Sequence, residues 1–173
     1  MLEVNARQSI AIFGWFDQPR NIVCWEDLTK QNWSWRRLRQ ELDLTPQQLM
    51  KIQSDKRAWI TRGSLTLHDL PDMTIFPVNP FTDLQADLGE VWSMKWSPNT
   101  LCEMGVTYEQ LKLRGLSAQI MDHFNFSLSS WYALGFRLQH AESMSSQETQ
   151  CVFGMEKGEL EKVLKDFSES PPC

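Results

Sequence analysis

One stretch of this sequence brings basic and aromatic side chains close together along the chain. The residues concerned are Trp33, Trp35, Arg36, Arg37, Arg39 and Trp59. Arginine binds phosphate groups, and exposed aromatic rings stack on nucleic-acid bases. Residues 30–59 therefore predict a surface that binds nucleic acid through both phosphates and bases.

The same residues fit two other interpretations. In the first, they form the solvated face of a helix: Trp33 packs on Leu38 at the helix entry, and the arginines pair with Glu41 and Asp43. In the second, the arginines contact an acidic protein partner, such as the acidic half of another copy of this chain. The sequence leaves these interpretations open.

The sequence contains no familiar catalytic or nucleotide-binding motif, since GxxxxGK[ST], GxGxxG and GxSxG are all absent. His68 and His123 each adjoin an aspartate, which is typical of surface pairs on short helices. A Cys–His dyad that folding assembles from Cys102 or Cys151 and a histidine stays open. We therefore predict a protein that is not an enzyme and uses no cofactor. An enzyme built from dispersed residues is the distant alternative.

The cysteines and carboxylates do not predict a metal site. The cysteines are Cys24, Cys102, Cys151 and Cys173. Their spacing fits neither a metal knuckle nor a CxxC redox pair, so free thiols in a reducing compartment are expected, with disulfides between subunits as an alternative. Asp69 and Asp72 could share a cation. Asp69 is better explained as the third residue of a helix capped by Thr66, where a carboxylate meets the positive helix end.

An internal repeat of ten residues indicates which elements position these groups. Four consecutive blocks match when they are aligned, at residues 96–105, 106–115, 116–125 and 126–135. Each begins with an apolar residue and then Ser or Thr, has a large apolar residue at its sixth place, and ends in Gly or Asn. A repeat of fixed period decides the architecture before single residues do.

Each block fits one short helix with its own start and stop. Ser or Thr at the second place is the N-cap, and the first and sixth places form a hydrophobic staple across the helix entry. Gln110 completes a capping box, Pro98 suits the first helical position, and Gly or Asn at the tenth place ends the helix in the left-handed region. The staple pairs are Trp96–Leu101, Val106–Leu111, Leu116–Met121 and Phe126–Trp131.

Looser copies of the block occur on both sides of the repeat. They begin at Trp33, Leu44, Leu65, Phe81, Met144 and Met155. Helices of about seven residues are not stable alone in water, so each must bury its staple against other helices. We predict a mainly α fold, a compact array of short capped helices wound in the manner of a solenoid, rather than one long helix.

The chain is expected to form one compact unit, which comprises an N-terminal region, residues 1–80, and a short-helix repeat region, residues 81–167. The first is expected to hold a small β-hairpin over residues 8–25 and two helices over residues 26–54, with a break between them near residues 42–45. An extended segment over residues 71–80 is expected to follow them.

In the second region, the repeat is expected to run from residue 81 to residue 135. A polar bridge over residues 141–150, a last helix over residues 155–167 and a flexible tail at 168–173 follow it.

Charge restricts the partners. The chain of 173 residues has a net charge of −5, so the whole protein is not a generic nucleic-acid binder. Residues 1–80 hold ten basic and nine acidic residues, and the remainder hold seven and 13. A role with nucleic acid therefore belongs to the first half. The apolar stretch over residues 10–16 is too short for a membrane span, and no secretory leader is expected, so the default location is the cytoplasm.

The blocks resemble repeat segments in proteins of large nucleocytoplasmic DNA viruses. The resemblance rests on Met104-Gly105-Val106-Thr107-Tyr108-Glu109-Gln110-Leu111 and on Leu134-Gly135-Phe136. It covers residues 94–136, with echoes at 42–49 and 153–160. Such proteins are commonly virion components or interaction proteins, so the resemblance implies a minor capsid or capsid-associated role, in the virion or the host cytoplasm.

The function expected from the sequence is therefore that of a non-enzymatic structural or adaptor protein that docks into a larger assembly, with capsid proteins as candidate partners. The alternative is a nucleic-acid-associated protein that acts through residues 30–59.

Overall fold

The computed structural model describes residues 2–3, 22–72 and 77–170. It divides the chain into two compact units, an N-terminal unit of residues 1–84 and a C-terminal unit of residues 85–173. The described residues contain twelve α-helices, the shortest of five residues and the longest of 13. The predicted mainly α class is therefore confirmed.

The N-terminal unit contains four α-helices and one 3-10 helix in its described part. They are α1 (Trp25–Lys30), α2 (Trp35–Leu42), α3 (Pro46–Ile52), α4 (Lys56–Arg62) and the 3-10 helix Leu67–Asp72. The predicted break near residues 42–45 is present between α2 and α3, but the number of helices over residues 26–54 is wrong, because a further break separates α1 from α2. Asn32 adopts a left-handed φ of 54° there, and the Ser34 hydroxyl accepts the Arg37 N–H to start α2.

The C-terminal unit is a succession of short helices. They are α5 (Leu88–Ser93), α6 (Pro98–Glu103), α7 (Tyr108–Leu113), α8 (Ala118–Phe124), α9 (Leu128–Ala133), α10 (Leu138–Glu142), α11 (Ser146–Phe153) and α12 (Lys157–Glu169). Helices α5 to α10 begin at intervals of ten residues, as the repeat predicts.

The predicted N-caps start the central helices. Ser97, Thr107, Ser117 and Ser127 each accept a hydrogen bond from the backbone N–H three residues later. Gln110 completes the capping box by accepting the Thr107 N–H at 3.1 Å. These contacts satisfy N–H groups that a helix start leaves without an intrahelical partner.

One shared residue joins α6 to α7 and explains the period, and the same bonds recur between α7 and α8 and between α9 and α10. Gly105 has a φ of 69°, the Gly105 N–H donates to Cys102 O, and the Val106 N–H donates to Leu101 O. This pair of bonds is a Schellman motif, which ends α6. Val106 is also the staple residue that precedes the Thr107 cap of α7. The same residue therefore closes one helix and opens another, so a six-residue helix repeats every ten residues.

The core of the C-terminal unit is built on the fourth residue of each helix. These residues are Val91, Leu101, Leu111, Met121, Trp131, Ala141, Thr149 and Leu160, and none has more than 2% of its surface exposed. The sixth place of the sequence block is thus the buried place. Helix α6 packs on α9, α8 on α11, and α10 on α12, so helices separated in sequence share this core.

The two units contain a similar three-helix arrangement. In the N-terminal unit the Trp35 N–H donates to Gly63 O, and the Trp35 and Trp59 rings meet edge to face at 87°. In the C-terminal unit the Tyr108 N–H donates to Leu134 O, and Tyr108 meets Trp131 at 89°. In both cases the first residue of one helix contacts the helix two places later.

Two predicted segments are wrong. Phe81 and Thr82 do not start a helix, because the Asn79 side-chain oxygen accepts both of their N–H groups and holds a turn. The polar bridge over residues 141–150 is instead occupied by the end of α10 and by α11. Helix α11 starts from a capping box in which Glu148 accepts the Ser145 N–H at 2.8 Å.

The predicted hairpin lies mostly outside the described residues. Its second strand contributes Ile22–Val23, which pairs antiparallel with Leu2–Glu3, and α1 begins at Trp25. Of the predicted extended segment, residues 73–76 also lie outside the described residues, and Pro71 belongs to the 3-10 helix. The last helix reaches Glu169, further than expected, and residues 171–173 are not described.

Candidate interaction surfaces

The tryptophans of the predicted basic and aromatic cluster belong to the core of the N-terminal unit. Trp33, Trp35 and Trp59 are all buried. Trp59 meets Trp35 at 5.0 Å and Trp25 at 4.6 Å, in edge-to-face contacts, and donates its indole N–H to Gln53 O. These rings are therefore not available to stack on bases. The interpretation of Trp33 as a packed staple residue is the one that the structure supports.

The arginines of the cluster are exposed or partly exposed, and each contacts groups of its own unit. Arg37 donates two hydrogen bonds to Glu41, at 2.9 and 3.2 Å, as expected, and lies over the Trp33 ring. The hydrogen bonds from Arg37 lower the pKa of Glu41. Arg39 donates to Leu44 O at 3.0 Å. The pairing of an arginine with Asp43 is not among these contacts.

Arg36 lines a polar cleft, which we call the arginine cleft and which also contains Arg39, Gln40, His68 and Asp69. The Asp69 carboxylate accepts hydrogen bonds from the Thr66 N–H and hydroxyl. Its predicted place at the start of the helix capped by Thr66, which is the 3-10 helix Leu67–Asp72, is therefore confirmed. Arg36 Nε lies 3.6 Å from the same carboxylate. One acidic group and two guanidinium groups thus share the cleft.

The predicted site omitted a surface of the C-terminal unit that we call the aromatic groove. Its walls come from α5 with the residues after it, and from α8 with the residues after it. The first contribute Gly89, Trp92, Lys95 and Trp96, and the second contribute His123, Phe124 and Phe126. The groove encloses about 720 Å³ and is open to solvent. Trp92 keeps 45% of its surface exposed, which is unusual for so large an apolar side chain.

A buried ring supports one wall of the aromatic groove. The ring centroids of Phe124 and Phe126 lie 5.1 Å apart, and they lie 5.9 and 5.3 Å, respectively, from the ring centroid of Trp131. Trp92, on the opposite wall, meets the His123 ring of this wall edge to face, with their centroids 5.8 Å apart. His123 Nδ1 is bonded to Gln119 O at 2.6 Å, which leaves the other ring nitrogen for a ligand. The rings that line the groove are therefore held in place by their contacts, and they leave the groove open.

Two residues of the aromatic groove oppose the preferences of their local backbone. Gly89 is the second residue of α5, where glycine is less favourable than alanine by about 1 kcal/mol. Lys95 has a φ of 52°, at the place that glycine or asparagine occupies at the end of the following four helices. Such departures from local preference are expected at functional sites.

Sequence reasoning missed the aromatic groove because it restricted the N-cap to Ser and Thr. Asp87 caps α5 by accepting the Glu90 N–H at 2.7 Å, so the repeat begins at residue 86, one block before the four matched blocks and not at the expected residue 81. Once residues 86–95 are aligned with the other blocks, Val91 is the buried staple residue. Trp92 is then a large apolar residue that the repeat does not need, which is a signal that the sequence did contain.

His140, Cys102 and Cys24 lie in environments that are typical of structural residues. His140 is buried, accepts the Arg137 N–H at 2.8 Å and contacts Glu109 at 2.6 Å, so it serves a capping box. Burial raises the pKa of the Cys102 thiol. A hydrogen bond to Asp27 raises the pKa of Cys24. Both shifts are opposite to those of an activated thiolate.

No family model, curated protein or solved structure matches this chain. None of the helices in the part that the structure describes is long and apolar enough to cross a bilayer. Function is therefore inferred from the residues of the chain itself.

Proposed function

We propose that this chain is a non-enzymatic structural or adaptor protein that docks into a larger assembly through the aromatic groove. The observation that carries the proposal is the exposed indole of Trp92 in a groove that Trp96, Phe124 and Phe126 also line. Tryptophan and other aromatic residues dominate the binding energy of protein interfaces. Short capped helices supply a rigid frame for such a surface.

The lining of the aromatic groove favours docking over catalysis. Its titratable side chains are Lys95 and His123, and the remaining side chains are mostly aromatic. Acid–base or nucleophilic catalysis relies on a nucleophile and a base within hydrogen-bond reach of each other. A groove of rings with one cation is better suited to hold an apolar side chain.

The assembly we propose is a virus particle, in which this chain is a minor capsid or capsid-associated protein. The support is the resemblance of residues 94–136 to repeat segments of large DNA viruses. The protein would then be found in the virion or in the host cytoplasm, with capsid proteins as partners. Purified particles should contain the chain in a fixed ratio to the capsid proteins when their components are quantified by mass spectrometry.

The groove itself is tested by filling it. Gly89→Leu places a side chain in the groove, and the new Cβ lies 3.3 Å from the Asp87 Oδ1 atom that caps α5, so this oxygen must shift by a few tenths of an ångström. Leucine is a better helix former than glycine, so α5 should persist. Gly158→Leu is the matched control, because Gly158 is also the second residue of its helix, has no atom near its Cβ position and lies outside the groove.

The assay is affinity isolation of the tagged full chain from the cells that make it, followed by quantitative mass spectrometry. We expect the same partner at a fixed ratio with the unmodified chain and Gly158→Leu, and its loss with Gly89→Leu. If Gly89→Leu retains every such partner, or if no partner appears at a fixed ratio, docking through this groove is contradicted.

A second candidate function, binding of nucleic acid, is supported by the arginine cleft alone. Arg36 and Arg39 present guanidinium groups there, and guanidinium forks bind phosphate. Binding would contact the phosphate backbone without stacking and would weaken as salt rises. Undetectable binding of single-stranded DNA and RNA at low salt, or equal binding by Arg36→Ala and the exposed control Arg57→Ala, would remove this candidate.

A further inference from the structure

We infer that the aromatic groove takes a protein segment in which an apolar side chain is flanked by carboxylates. This inference rests on the proposed docking function and adds the chemistry of the partner. The apolar requirement follows from the walls, where Trp92, Phe124 and Phe126 face the cavity. Gly89 has no side chain and leaves room for an inserted one.

The charge of the groove differs from that of the unit that carries it. Residues 85–173 contain seven basic and twelve acidic residues, so the unit as a whole is acidic. The titratable groups that line the groove are instead Lys95 and His123. An acidic unit disfavours long polyanions such as nucleic acid. A short acidic segment can nevertheless place one or two carboxylates beside the groove cation.

The two carboxylates that precede Lys95 most closely in sequence are already bonded elsewhere. Asp87 accepts the Glu90 N–H at 2.7 Å, and Glu90 accepts the Asp87 N–H at 2.9 Å, so both serve the start of α5. The ion pairs of the described residues do not include Lys95. Its ammonium group therefore remains for a partner.

The backbone at Lys95 strengthens the assignment of a role in binding. Lys95 takes a left-handed φ of 52°, whereas the equivalent residues of the next four blocks are Gly105, Gly115, Asn125 and Gly135. A lysine is strained in this region where glycine is not. Lysine at this place costs stability, and its charge at the rim of the groove is the gain that we assign to it.

The test is selection of a displayed library of random twelve-residue peptides on the immobilised full chain. We expect the enriched peptides to combine an aromatic or branched apolar residue with Asp or Glu within two positions. Lys95→Glu should bind a selected acidic peptide about tenfold more weakly, because an exposed charge attraction becomes a repulsion, and the difference should shrink as salt rises. Lys112→Glu, on an exposed lysine of α7 outside the groove, is the charge-matched control and should bind like the unmodified chain.

Several results would overturn the inference. These are an absence of enriched peptides, enriched peptides without carboxylates, or equal affinities for Lys95→Glu and Lys112→Glu. Selection on Trp92→Ala should lose the apolar preference, and unchanged selection would also contradict the inference. If Gly89→Leu loses its native partner but the selected peptides are not acidic, the docking function stands and the acidic segment is wrong.

Discussion

Truncation of one staple residue should destabilise the C-terminal unit far more than truncation of a second leucine in the same helix. Leu111 is the fourth residue of α7 and is fully buried, whereas Leu113 is two residues further on and is 85% exposed. The carbonyl of Leu111 also accepts the Leu116 N–H that ends the helix. Leu111→Ala keeps this backbone hydrogen bond and removes the buried side-chain contacts, so the effect reports packing alone.

The expected difference follows from burial. A buried Leu→Ala substitution costs about 2–5 kcal/mol, because apolar contacts are lost and a cavity remains. A surface substitution stays within about 0.5 kcal/mol. Domains are stable by about 5–15 kcal/mol, so Leu111→Ala should remove a large part of the free energy of unfolding. Leu113→Ala should be close to neutral.

The measurement is urea unfolding of the full chain, followed by circular dichroism at 222 nm and by tryptophan fluorescence. Leu111→Ala should lower the midpoint of the transition of the C-terminal unit, with little change in the slope that reports exposed surface. If Leu113→Ala costs as much as Leu111→Ala, or if Leu111→Ala costs less than about 1 kcal/mol, the sixth place of the block is not the core place.

Two further predictions concern the ends of the helices. Hydrogen bonds from the Ser145 backbone N–H and hydroxyl lower the pKa of Glu148, so its charged form stabilises the fold above its unfolded pKa, and that contribution is lost as pH falls through the lower folded pKa. In urea unfolding series at several pH values, the difference in free energy of unfolding between the unmodified chain and Glu148→Gln should shrink toward acid pH. A constant difference would contradict this prediction. Gly115 has a φ of 92° and an empty Cβ position, so Gly115→Ala should lower the free energy of unfolding by about 1–2 kcal/mol. Gly158 lies in a helix and also has space for a Cβ atom, so Gly158→Ala should raise the free energy of unfolding by up to about 1 kcal/mol. Equal effects of the two substitutions in thermal unfolding would show that backbone conformation is not the cause.

The short helices could be predicted because their signals are local. A cap, a staple and a left-handed stop all act within ten residues, and each of these positions favours particular residue types. Thr107, Gln110 and Gly115 took the places expected of them. The same locality explains the errors: Asp87 is as good a cap as serine but was not considered, and Asn79 holds a turn where Thr82 had been expected to cap a helix.

The candidate site could not be predicted in the same way, because it depends on which helices meet. Trp92 and His123 lie far apart in sequence, and packing of α5 near α8 brings their rings to 5.8 Å. Conversely, the sequence favours Trp33, Trp35 and Trp59 as part of a binding cluster because basic residues lie near them in sequence, yet packing buries all three rings. A sequence shows which aromatic residues are present but not which of their rings are buried in the core.

The repeat also explains where a binding surface can arise. In each block the place before the cap, the cap, the third and fourth helical residues and the stop are used to build the helix. The first, second, fifth and sixth helical residues and the residue before the stop remain. Gly89 is the second residue of α5 and Trp92 is the fifth, and His123 is the sixth residue of α8. Lys95 occupies a stop and is strained there. Under the proposed docking function, substitutions at the second, fifth and sixth helical residues should alter recognition and leave the helical frame intact.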